Sequence, residues 1–119
     1  MKPSRVILSL VPDLFFASKI TTAATHLGVA LHATTPEQLV ADCHALTPDL
    51  IIVDLHAPGG VLDAVRDLKR DPTIAAVRIV GFYSHVEAHV RAAALEAGVD
   101  EPLPRSAFTV KLASLLAGE

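Results

Sequence analysis

Aromatic side chains are scarce in this chain: they make up 4% of its 119 residues, with one tyrosine and no tryptophan. A core with so few rings must be filled by Val, Leu, Ile and Ala, which suits helices packed closely on a central sheet. Cysteine is nearly missing too. The one residue, Cys43, excludes an internal disulfide and fits a reducing compartment. It falls on the apolar stripe Leu39/Cys43/Leu46, so a buried structural thiol is expected. There is no excess of positive charge. Ten Lys and Arg stand against thirteen Asp and Glu, for a net charge of −3, which argues against a nucleic-acid partner. The basic cluster Arg66, Lys69 and Arg70 is balanced by Asp63, Asp67 and Asp71 and reads as a solvated helix face. No apolar run is long enough to span a bilayer. Met1-Lys2-Pro3-Ser4-Arg5 before an apolar run mimics a signal peptide, but Pro12 and Asp13 interrupt that run and no small-residue cleavage site follows. A cytoplasmic protein without membrane contact is the expectation.

What the chain does have is aliphatic strands. Hydrophobic residues reach 51%, enough for one continuous core in a single domain spanning 1–119. Leu50-Ile51-Ile52-Val53 reads as a strand covered on both faces, ending in Asp54 and a turn made by Pro58, Gly59 and Gly60. Open α/β sheets place their ligands and chemistry at such strand ends. Val6–Val11 is a second central strand. After it, Asp13 can cap a helix with Phe16, Ile20, Ala23 and Leu27 on one face, closed by Gly28. Val29–Ala33 is a weaker edge strand. Thr35-Pro36-Glu37-Gln38 spells a helix start, with Thr35 as cap, Pro36 at the first helical position and Gln38 completing a capping box; that helix runs to about Leu46. A helix over Val61–Arg70 follows, with Val61, Val65 and Leu68 inward. Next come a strand over Val77–Phe82 and a helix with Val86, Val90, Ala93 and Ala97 inward, closed by Gly98. The strand from Val99 to about Pro104 carries Pro102 and Pro104 and so belongs at an edge. Phe108, Leu112, Leu115 and Leu116 define a last helix. Five strands alternating with five helices predict an α/β doubly wound parallel sheet, order 2-1-3-4-5.

At this point the chain resembles the receiver domain of bacterial response regulators over essentially its whole length. Asp54 with Pro58 four residues later matches the family's phosphoacceptor spacing, and Ala92-Ala93-Ala94-Leu95-Glu96-Ala97-Gly98-Val99-Asp100 looks like its Ala-rich fourth helix and the turn into strand five. The resemblance implies a flavodoxin-like fold, a role in two-component signal transduction or a phosphorelay, no enzyme of its own, and a signalling protein (a kinase or an output protein) as partner. It also implies Mg²⁺ held by an adjacent acidic pair at the end of strand one, a hydroxyl ending strand four, and a Lys-Pro ending strand five. Counting back from Gly28 puts Val11 and Pro12 where the acid pair belongs, with Asp13 one residue on. The switch hydroxyl falls on Ser84, or on Tyr83 when counted back from Gly98. The Lys position holds Arg105, followed by Ser106. Arg is not a conservative exchange for a phosphate-bridging ammonium.

This pattern resembles the atypical, pseudo-receiver branch, which keeps the fold as a protein-protein interaction module without phosphorylation and needs no cofactor. The alternative is a phosphoacceptor receiver, phosphorylated on Asp54 by a histidine kinase, with Asp13 and Asp54 holding Mg²⁺. Under the first reading Asp54 is expected to bond nearby amides or to form a salt bridge with Arg105. Tyr83, His85, His89 and Arg105 are expected to form a partner-binding surface on a monomer or weak homodimer. Two other patterns occur in the chain. Asp54-Leu55-His56-Ala57-Pro58-Gly59 spells D-x-H-x-x-G, a cobalamin-binding signature, but follows the third strand instead of the first and lacks the downstream Gly-Gly pair. His85 and His89, four apart on a helix, could bind zinc only if His56 or Asp54 supplied a third ligand.

Overall fold

The computed structural model describes residues 5–84 and 88–119. In chain order the elements are β1 (Val6–Leu10), α1 (Leu14–Leu27), β2 (Ala30–Ala33), α2 (Leu39–Leu46), β3 (Leu50–Asp54), α3 (Val61–Arg70), β4 (Arg78–Tyr83), α4 (Ala88–Ala97), β5 (Glu101–Pro104) and α5 (Arg105–Ala117). All four strand pairings are parallel and the order is 2-1-3-4-5, as the alternation of patterns predicts. Every residue of β3 is buried, which explains why that strand reads as a continuous apolar run. Pro102 and Pro104 sit on the edge strand β5, where a missing N–H leaves no ladder bond unmade on the open side.

The two faces of the sheet are filled differently. One cluster joins Ile7, Leu50, Ile52 and Val80 to α1 and α5 and contains Phe16, Phe82 and Phe108, with ring centroids 4.8 to 5.8 Å apart. Such tilted pairs add to simple area burial. The other joins Leu8, Ile51, Val53 and Ile79 to α2, α3 and α4, and is aliphatic apart from Tyr83 and the Cys43 thiol. Cys43 is 1% exposed, and burial raises its pKa above the ordinary thiol value, so the buried structural thiol is as expected.

Several boundaries differ from the sequence reading, among them β1, which ends at Leu10, and β2, which begins at Ala30. α2 begins at Leu39, because residues 36–38 form a turn. The Thr35 hydroxyl does accept from the Gln38 amide (3.2 Å), but the Thr35 carbonyl accepts from the same amide (3.1 Å), which closes a turn one step before the helix. β4 runs one residue later than expected, and β5 begins at Glu101. Val86 lies outside the described residues, and Ala94 is the fully buried member of the α4 face. Among the described residues no helix is long and apolar enough to cross a membrane.

Candidate functional site

Register sets the site. Leu10 pairs with Val53 and Asp54 with Phe82, so the carboxyl ends of β1, β3 and β4 open onto one edge of the sheet. Asp54 and Ser9 are the two buried polar residues among those described, Asp54 at 8% exposure. The Asp54 carboxylate is held by its own turn: Oδ1 accepts from the His56 amide (2.9 Å), and the Asp54 carbonyl accepts from Ala57 (3.0 Å). This is the local side-chain-to-backbone bond that Asp favours at a strand exit. Gly59 and Gly60, at φ +95 and +80, then swing the chain into α3, a backbone conformation costly for any residue with a Cβ. Opposite, Leu55 lies against Gly81, where an added Cβ would meet Leu55 Cδ2 at 2.9 Å. Gly81 gives the β3 exit its room.

The β1 exit is built otherwise. Val11 turns into the α1/α5 cluster and Pro12 carries no ligand group. Asp13 caps α1, its Oδ1 accepting from Phe15 N (3.0 Å) and Phe16 N (3.3 Å), the role its position predicts. Its Oδ2 lies 3.8 Å from Arg105 Nη1. Arg105 is the first residue of α5, and its guanidinium carbon stands 4.4 Å from the Phe16 ring centroid and 5.4 Å from that of Phe82. The Arg105 Nε is buried with no hydrogen-bond partner among the described residues. A planar guanidinium suits such stacking better than an ammonium does.

Two expectations for this site need correction. Arg105 does not bridge to Asp54; it pairs with Asp13, because the aromatic floor on which it lies belongs to α1 and β4. Tyr83 is not an exposed ring. It is the last residue of β4, 4% exposed, and turns into the α2/α3/α4 cluster. Ser84, in the bend after β4, is exposed, as is His89 on α4. His85 lies outside the described residues, so the surface of Tyr83, His85, His89 and Arg105 is reduced to Arg105 and His89 on the described chain. His56 is exposed on the turn after Asp54.

The donors at these strand ends do not fit Mg²⁺, which wants a near-octahedral set of oxygens including carboxylates. Val11 and Pro12 offer no side-chain oxygen, and the Asp13 carboxylate is committed to the α1 cap and to Arg105. No group of three or more His, Cys, Asp or Glu among the described residues could hold a metal ion. The sequence reading missed the stack of Arg105 on Phe16 and Phe82. These residues lie on three elements, so no periodicity joins them, and the only signal was the scarcity of rings.

No protein-family model matches this chain, and no curated protein does. Solved structures match over nearly its whole length. The chemotaxis response regulator CheY4 of Vibrio cholerae is 12% identical, with 98% of each chain covered and a TM-score of 0.83. The signal receiver domain of a DNA-binding response regulator from Colwellia psychrerythraea is 16% identical, covering 98% of this chain and all (100%) of that one, at 0.81. A two-component response regulator of the LuxR family from Aurantimonas is 22% identical, with 99% and 88% covered, at 0.74. The architecture is therefore the flavodoxin-like fold of response-regulator receiver domains.

Proposed function

We propose that this chain is a receiver-like signal-transduction domain that acts as a protein-protein interaction module, without Mg²⁺-dependent phosphorylation of Asp54. The observation that carries this reading is the Asp13–Arg105 pair set on Phe16 and Phe82. Phosphoryl transfer to a carboxylate brings two anionic groups together, and a divalent cation must neutralise the charge. Here the one carboxylate that could assist Asp54 from the β1 exit is tied to a cation of the protein itself. The helix cap holds it there at about 1 kcal/mol, and the partly exposed ion pair adds at most about 1 kcal/mol. The partner is a signalling protein, a kinase or an output protein, met by surface groups that include exposed His89 and half-buried Arg105.

One observation favours the second reading, in which a histidine kinase phosphorylates Asp54. Only Oδ1 of Asp54 is used by the turn, which leaves Oδ2 without a hydrogen bond from the described residues. One structure of the same fold, the phosphorylated cyanobacterial phytochrome response regulator RcpA, is 17% identical over 98% of this chain and 91% of that one, at a TM-score of 0.75. Incubation with acetyl phosphate and Mg²⁺ followed by intact-mass measurement separates the two readings. The expected spectrum shows the unmodified chain alone. A phosphoryl adduct on the wild type that is lost in Asp54→Ala overturns the interaction-module reading.

A further inference from the structure

Beside the Asp54 turn lies a cavity of about 270 Å³, walled by the loops after β1, β2 and β3. It occupies the place where the chain order reverses, since β1 is flanked by β2 on one side and β3 on the other. Crevices beyond the carboxyl ends of strands at such reversals are where open α/β sheets bind ligands. The volume falls just below the roughly 300–1,000 Å³ of sites for drug-sized molecules, so the occupant is fragment-sized. Val11, Pro36, Ala57 and Pro58 make the walls mainly apolar. The β2–α2 and β3–α3 turns close on each other there, a Cβ at Gly59 falling 3.5 Å from Pro36 Cγ.

Two polar features remain. Ser9 lines the cavity at 5% exposure, and its hydroxyl has no hydrogen-bond partner among the described residues. With the residue otherwise covered, that hydroxyl is left to bond water or a ligand in the cavity. Glu37 is the one charged residue in the lining. Nearby, Asp42 accepts from the Thr34 hydroxyl at 2.7 Å, and no lysine or arginine joins the wall. The local field therefore favours a cation and disfavours phosphate or carboxylate.

We propose that this cavity binds a small amine with an apolar body and one hydrogen-bonding group, the amine facing Glu37 and the polar group facing Ser9. The site is separate from the Asp54 carboxylate and does not depend on whether that residue is phosphorylated.

The test is an amide-resolved NMR titration of the intact chain with 4-hydroxybenzylamine, benzylamine and 4-hydroxybenzoate. Saturable shifts are expected for both amines at Ser9, Val11, Thr34, Thr35, Glu37 and Ala57. The exposed Glu37→Gln change should weaken both amines by about twofold to fivefold, the range of a solvent-screened pair. Ser9→Ala should weaken 4-hydroxybenzylamine by about threefold to tenfold and leave benzylamine unchanged, as loss of one neutral hydrogen bond requires. Shifts that scatter over the surface or fail to saturate overturn the proposal. So does equal affinity for 4-hydroxybenzoate, or variants with unchanged affinities and a native spectrum.

Discussion

At the carboxyl end of β3 the carboxylate of Asp54 is held by the amide two residues on, whereas at the exit of β1 the carboxylate of Asp13 is held by two amides at the start of α1 and a guanidinium. The first arrangement is local. It needs only the turn Asp54–Gly60, and would survive large changes in the neighbouring elements. The second is shared among α1, β4 and α5, so no single segment specifies it. A sheet of this shape can thus hold the Asp54 turn by local bonds alone while distant elements set the β1 exit, because the two exits answer to different constraints.

Removing the floor of the shared arrangement should cost most. Phe82 is fully buried between Phe16 and Phe108, and Phe82→Ala should lower stability by about 3–5 kcal/mol in urea unfolding. Phe82→Leu should cost less while still loosening Arg105. Crowding the β3 exit comes next. Gly81→Ala drives a methyl into Leu55, which is 8% exposed with little room to retreat, and about 1–3 kcal/mol of stability should go.

Arg105→Ala should cost about 1 kcal/mol, since the ion pair and ring contact it loses are partly solvated. Asp54→Asn keeps the Oδ1 acceptor and should stay within about 0.5 kcal/mol. If the order is reversed and Asp54→Asn is the costlier change, the Asp54 charge has a partner and the contrast between the exits fails.

The smallest effect should come from the far end of the sheet. Hydrogen bonds from Lys111 and then Arg78 hold the Glu101 carboxyl below its usual pKa. A lowered folded-state pKa gives stability that is full above the usual glutamate value and is lost as pH falls through the folded one. The melting-temperature gap between wild type and Glu101→Gln should therefore close on acidification, and added salt should narrow it at neutral pH.

Much of this was legible in the chain itself. Four consecutive aliphatics before Asp54, prolines in the last strand and an Asp before an amphipathic run each point to one local structure. The start of α2 was misplaced because a capping residue and a turn residue use the same Thr35 hydroxyl, and local sequence does not say which backbone follows. Tyr83 was misplaced for a stricter reason. Strand side chains alternate, and β4 runs one residue past its expected end, so Tyr83 belongs to the strand and enters a covered face. Nothing in its immediate neighbours marks that boundary.

The residues alone were enough to establish the class, the strand order and the Asp54–Pro58 geometry, since periodicity and turn chemistry act over a few positions at a time. Tertiary structure alone decided that Arg105 turns from Asp54 to Asp13, that Tyr83 is covered, and that Ser9 lines a cavity. Each of these depends on which side chains from distant elements compete for one place. That competition is settled by packing, and packing between distant segments leaves no mark on sequence spacing.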